Sequence, residues 1–284
     1  MTRLIDNLEQ IADQFDAIIL DQWGVLHDGT TAYAGSIEVL TALAANGVRL
    51  GVLSNSGKRT DLNIDRIALK GFVPDLFECV MTSGEALWQD AQQGKLIGAR
   101  AYVVSAKPID AAQWAVGLDI CFAKSLTDAD YVLIMGLPEG DAAPSQAELD
   151  ALRDDIIKHD VPVYCSNPDR TSPRARGALA VSPGALAHAI KDAGGKVTFY
   201  GKPHAPVFRA IEKTMNIEPN RLLMVGDSLE HDISGAAKAG WQTLFVRGGI
   251  DASAFHGDDI GAALRGLVAK KSAITPDFSI QTLR

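Results

Sequence analysis

The sequence has little cysteine, no surplus of positive charge and no long apolar run, and each shortage closes off a class of protein. Cys79, Cys121 and Cys165 are the only cysteines in 284 residues, and no C-x-x-C pair occurs. They are too few and too scattered for a disulfide framework or a structural zinc site, which points to a reducing cytosol and a cytoplasmic protein. Lys and Arg number 27 against 35 Asp and Glu, for a net charge of -8. Nucleic-acid backbones call for clustered cations, so no nucleic-acid partner is expected, although one local cationic pocket for a small anion stays open. No stretch approaches the ~18 uninterrupted apolar residues of a membrane span, so no membrane partner is expected. The opening MTRLIDNLEQIADQFDAIIL carries acids throughout and lacks the apolar centre of a signal peptide. Repeats and low-complexity tracts are missing too.

What is present is ordinary globular material, 47% hydrophobic and 22% charged, enough for a large core in about two domains. Short apolar runs alternate with longer Ala/Leu-rich stretches. Strands are predicted at Ala17–Leu20, Val48–Leu53, Tyr102–Val104, Tyr131–Met135, Val161–Cys165, Val197–Tyr200, Leu222–Val225 and Thr243–Val246. Runs such as AIIL and LLMV suit strands buried on both faces, as in parallel sheets. Gly47, Gly71, Gly194 and Gly240 each follow a plausible last helical turn. This alternation predicts an α/β fold with a parallel sheet.

Ligands of open parallel sheets lie beyond the C-terminal ends of the strands, so polar residues just after a buried run are the candidates. Four segments qualify. Asp21 follows AIIL, with Gly24 three residues on; a carboxylate here suits a nucleophile or a metal ligand, or a plain turn or helix cap. Ser54, Asn55, Ser56 and Gly57 follow a second run and make either an anion cradle or an N-cap. Lys202, in GKP, either neutralises a developing negative charge or is a solvated loop lysine. Asp227 and Asp232, in GDSLEHD, suit Mg²⁺ through hard oxygen ligands, or serve helix capping. Singly, the plain readings compete well. At four strand ends together they require a coincidence.

The ordered set Asp21…Ser54-Asn55…Lys202…Asp227…Asp232 resembles the haloacid dehalogenase-like (HAD) phosphohydrolase superfamily. The segments LDQWGVLHDG, LSNSGKR, SNPDR, YGKPH and VGDSLEHDISGAAKAG look like its class IIA branch, which holds NagD-like sugar phosphatases and nitrophenyl phosphatases. The resemblance implies a Rossmann-like, doubly wound parallel-sheet core, residues 1–84 and 197–284, interrupted by an inserted α/β cap domain of the C2 type at 85–196. It implies that Asp21 attacks phosphorus to form an aspartyl-phosphate and that Lys202 balances charge. Mg²⁺ is then held by Asp21, the backbone carbonyl of Trp23, Asp227 and, through water, Asp232. Ser54 and Asn55 would bind phosphate oxygens. Asn167 and Arg170 of the cap loop would approach the substrate, against the plainer reading of a Pro-containing turn with a solvated arginine. The implied partner is a small phosphorylated metabolite. Caps of this branch often dimerise, so the resemblance allows a homodimer, with the oligomeric state left open.

Trp23 departs from the pattern, because the family's phosphatases usually place a second Asp there as general acid. An indole N–H is donor-only and far too weakly acidic. Losing a general acid typically costs ~10²–10⁴-fold, most for an alkoxide leaving group and least for a phenolate, enolate or carboxylate. Three readings follow: a phosphatase for substrates with good leaving groups; a substitute acid, with His27 and Asp28 as first candidates; or a catalytically weak protein of the same fold that binds a phosphorylated ligand.

Overall fold

The computed structural model describes residues 2–173 and 179–283. In chain order its strands are β1 (Arg3–Leu4), β2 (Ala17–Leu20), β3 (Arg49–Ser54), β4 (Cys79–Thr82), β5 (Arg100–Val104), β6 (Cys121–Phe122), β7 (Tyr131–Ile134), β8 (Val163–Cys165), β9 (Thr171–Pro173), β10 (Leu179–Val181), β11 (Val197–Phe199), β12 (Leu222–Gly226), β13 (Gln242–Val246) and β14 (Phe278–Ile280). The chain divides into two compact units, Met1–Ser54 with Asp61–Met81 and Lys202–Arg284, and Asn55–Thr60 with Thr82–Gly201.

The first unit is built on a sheet in the order β1-β14-β13-β12-β2-β3-β4. Its pairs β1/β14, β14/β13, β13/β12, β12/β2 and β2/β3 are parallel. All residues of β2 and β12 are buried, as the unbroken runs AIIL and LLMVG require. Leu244 and Val246 of β13 pack into the same core as Leu20, Leu40 and Val225, whereas Phe245 packs with Leu229, Ile233 and Leu264. Both faces of the sheet are therefore covered, and the α/β, doubly wound expectation holds. From β2 the chain moves outward to β3 and β4, and from β12 outward to β13 and β14. The β2/β12 boundary is thus where strand order reverses, the place where α/β sheets bind ligands.

The second unit has a five-stranded sheet, β11-β8-β7-β5-β6, whose registered pairs are parallel, and an antiparallel pair β9/β10. Val132, Ile134, Val163, Leu186, Ile190 and Phe199 form its core. The helix Gln146–Lys158 starts in a capping box made by Ser145 and Glu148.

The structure amends the sequence reading in three places. Val197–Phe199, grouped by sequence with the first unit, pairs with Val163–Cys165 and buries Phe199 in the second unit's core. Asn55–Thr60 also belongs to the second unit, whose main segment spans Thr82–Gly201. Strands β1, β4, β6, β9, β10 and β14, of two to four residues, were not predicted from the sequence. Gly47, Gly71, Gly194 and Gly240 all follow helices with positive φ, as expected. No helix among the described residues is long and apolar enough to cross a membrane.

Candidate active site

Asp21 continues the central ladder by one step: its N–H donates to the Val225 carbonyl at 2.9 Å, just past the end of β2. The chain then turns away at Gly24, with φ +77°. A β-carbon at Gly24 would stand 1.8 Å from Asp227 Oδ2, so only glycine allows this peptide to lie against that carboxylate. Asp227 follows β12, on the adjacent strand, and its Oδ2 accepts the Ile250 N–H at 2.8 Å. Asp232 lies on a π-type turn, Leu229–Ile233, tied down at its start: Asp232 Oδ2 accepts the Ser228 N–H at 3.0 Å, while Ser228 Oγ accepts the His231 N–H at 3.2 Å.

Lys202 enters this group from the first residue of the returning chain. Its Nζ stands 2.7 Å from Asp21 Oδ1 and 2.7 Å from Asp232 Oδ1, and donates to the Leu53 carbonyl at 3.3 Å. The lysine does not follow a strand of the seven-stranded sheet, as the sequence suggested. It follows β11 of the second unit's sheet and precedes the helix Ala205–Met215. Ser54 ends β3, one residue beyond the Leu53 carbonyl that Lys202 contacts.

A carboxylate oxygen from each of Asp21, Asp227 and Asp232 lies within 4.8 Å of the others. Three carboxylates face one ammonium, so the ionised cluster is short of positive charge by two. Burial, opposed by Lys202 and reinforced by Asp232, pushes the Asp21 carboxyl up to about 7. Burial, with repulsion from Asp21 and Asp232, pushes Asp227 up to about 8. Burial alone would lower Lys202, but Asp21 and Asp232 outweigh it and raise its pKa above the ordinary value. An all-oxygen donor set with this deficit fits a hard divalent cation. The three acids are not equivalent. The Asp232 side chain is 0% exposed and both its oxygens are engaged, whereas the Asp21 side chain is 16% exposed and can meet an incoming group.

The proton donors proposed for the Trp23 loop fare poorly. His27 Nδ1 accepts the Gly29 N–H at 3.0 Å, and burial followed by the Lys70 charge lowers its pKa, which leaves a neutral ring. Asp28 accepts the N–H groups of Thr30 and Thr31 at 2.8 Å each, and those bonds hold its carboxylate below the ordinary range. Neither has a proton to give at neutral pH.

In the second unit, Asn55 Nδ2 donates to Asp169 Oδ1 at 2.7 Å, and Asn167 Oδ1 accepts the Asp169 N–H at 3.0 Å. Asp169 therefore links two predicted ligand positions. Arg170 is not drawn into this group; it pairs loosely with Asp192 at 3.6 Å. Asp169, part of the SNPDR segment but given no role from sequence, and the Ile250 N–H are what the sequence reading did not assign. The Gly248-Gly249 pair, separated by one residue from the end of β13, was the available signal for the second.

Two family models match the chain: haloacid dehalogenase-like hydrolase over residues 18–119, and HAD-hydrolase-like over residues 199–279. Chronophin of Mus musculus is 26% identical over 283 residues, covering 97% of this chain and 93% of the relative. Glycerol-3-phosphate phosphatase of Gallus gallus is 27% identical over 285 residues, with 94% and 89% covered. A haloacid dehalogenase-like hydrolase structure from Brucella suis 1330 superposes with a TM-score of 0.79 and 27% identity, covering 99% of this chain and all of that one.

Proposed function

We propose that this chain, which belongs to the haloacid dehalogenase-like hydrolases, is a magnesium-dependent phosphatase of small phosphorylated metabolites that works through an aspartyl-phosphate at Asp21. The observation that carries this reading is the bridge made by Lys202, 2.7 Å from both Asp21 and Asp232, within a carboxylate cluster in which Asp21 keeps access to solvent. Asp21, the Trp23 carbonyl, Asp227 and, through water, Asp232 would hold the cation. The Trp23–Gly24 peptide against Asp227 supports that set. The ion would supply two positive charges opposite the phosphoryl oxygens.

Phosphoryl transfer depends on alignment and charge cancellation, and the residues divide that work. Lys202 fixes one Asp21 oxygen and keeps the carboxylate oriented. An Asp21 oxygen bonds to phosphorus as the ester P–O bond breaks, and the leaving oxygen departs with the bonding pair and takes a proton from water. Water then attacks phosphorus, the bond to Asp21 breaks, and the proton released balances the one taken earlier. Ser54 and Asn55 as phosphate ligands, Asn167 and Arg170 as substrate contacts, and the inserted domain as a substrate-selecting cap are parts of the same proposal.

The test is phosphate release from a nitrophenyl ester with and without Mg²⁺. Turnover should require the ion and vanish in Asp21→Asn; substantial activity in that variant would rule out the aspartyl nucleophile. With Trp23, His27 and Asp28 all unable to protonate the leaving oxygen, wild-type rates should fall steeply as leaving-group pKa rises, and Trp23→Asp should flatten the slope. The same shortage of donors favours a second reading, a phosphoryl-ligand binder with vestigial catalysis. That reading predicts thermal stabilisation by ligand with no turnover over hours.

A further inference from the structure

Trp23 is 48% exposed, although it sits two residues after Asp21 and joins the peptide that lies against Asp227. A tryptophan side chain presents about 150–250 Å², so on the order of 100 Å² of apolar surface is left uncovered there. A single exposed hydrophobic residue is commonplace. This one is held in place. Its ring atoms occupy the space where a Gly29 β-carbon would come within 2.2 Å, and Gly29 has φ +95°. The His27 ring meets the indole edge-on, 5.8 Å between centroids at 73°. Lys70 Nζ donates to the Gly29 carbonyl at 2.7 Å and the Thr30 carbonyl at 3.1 Å, which fixes the turn carrying that glycine.

A second exposed apolar residue follows another segment that packs on the same carboxylate. Gly249 also packs on Asp227, with its β-carbon position 2.2 Å from Oδ2, and the following residue, Ile250, is 73% exposed. Two exposed apolar residues, Trp23 and Ile250, thus sit next to the glycines that pack on Asp227, beside the buried, charged cup. Such a rim suits a ligand that is anionic at one end and flat and apolar at the other.

We propose that Trp23 is a specificity-determining residue whose fixed indole receives an aromatic group carried on the phosphoryl ester oxygen, making aryl phosphates the preferred substrate class. This rests on the phosphatase reading and adds the leaving group. It also gives the Trp23 position a use that accords with the missing acid, since a phenolate departs without prior protonation.

Non-hydrolysable phosphonates separate recognition from chemistry. The measurement is the affinity of phenylphosphonate relative to propylphosphonate, by calorimetry with Mg²⁺ present. An aromatic contact of this kind predicts about three- to tenfold tighter binding of the aryl compound by the wild type. Trp23→Ser should bring the ratio to about one, and Trp23→Phe should restore most of it. If Trp23→Ser does not fold, Trp23→Leu, which keeps apolar bulk without a ring, reads the same ratio and should also lose the preference. Equal affinities in the wild type, or a preference that survives Trp23→Ser or Trp23→Leu, would overturn the proposal. A persistent aryl preference in a protein that hydrolyses no ester would leave the Trp23 contact standing but remove the phosphatase reading and the substrate assignment with it, so the two fail separately.

Discussion

The two units each bring charged side chains together, and they do so on opposite terms. Beyond β2 and β12, Lys202, Asp227 and Asp232 are buried, Lys202 ties Asp232 to the 16% exposed Asp21, and the cluster carries a deficit of two positive charges. In the second unit, Arg170, in the loop after β8, and Asp192, at the end of the helix Pro183–Asp192, stand 59% and 68% exposed at 3.6 Å, in solvent that screens them. The buried set has little water to compensate its imbalance, so the fold itself creates demand for a cation. The exposed set is already compensated by water and can exchange partners freely. The difference shows why clustered charge is informative only together with its burial.

The largest disturbance to this contrast should come from Lys202→Met. Removing the single ammonium from a buried carboxylate cluster is expected to cost about 3–5 kcal/mol in urea unfolding at pH 7.5. Part of that should return at pH 5.5, where Asp21 and Asp227 hold protons. A loss below about 1 kcal/mol would mean that the ammonium is dispensable. Gly24→Ala comes next. Its methyl group would meet Asp227 Oδ2 in a left-handed backbone, so a loss of at least about 1–2 kcal/mol should accompany weakened Mg²⁺ binding.

A smaller effect is expected from pH. Asp21 and Asp227 titrate in the fold near 7 and 8, well above the ordinary ~4 of an unfolded chain. Across that window the folded state binds more protons than the unfolded one, so stability falls as pH rises. Thermal midpoints of chelator-treated protein should decline by a few degrees from pH 5 to pH 8, and Mg²⁺ should raise the midpoint more at pH 8 than at pH 5. A midpoint that climbs with pH under chelation would contradict the buried, under-neutralised cup. The smallest effect belongs to Arg170→Ala, which should leave the unfolding midpoint unchanged within error. If Arg170 contacts substrate, the variant should raise KM with kcat little altered.

Much of the scaffold was legible because burial leaves a mark in composition. AIIL and LLMV gave β2 and β12 to within a residue, and Asp21 and Asp227 were found by looking one or two positions past them. Two- and three-residue strands such as Arg3–Leu4 and Phe278–Ile280 carry few side chains to show a period, and their place comes from pairing, Phe278–Ile280 with β13 and Arg3–Leu4 with Phe278–Ile280 at the edge. The substitute acids were misjudged for a related reason. The chain shows a histidine and an aspartate near the nucleophile, but not that the Gly29 N–H and the Thr30 and Thr31 N–H groups already occupy them.

By itself the sequence determined which strands would be buried, where their polar ends would fall and which residue types stood ready there, since hydrophobic runs and short motifs are local properties. Only the tertiary structure decided that one lysine would bridge Asp21 and Asp232, that Asp21 alone of the three acids would stay open, and that Val197–Phe199 would join the second sheet. Those outcomes depend on distances between residues far apart in the chain, and on the withdrawal of water that makes an unbalanced charge costly.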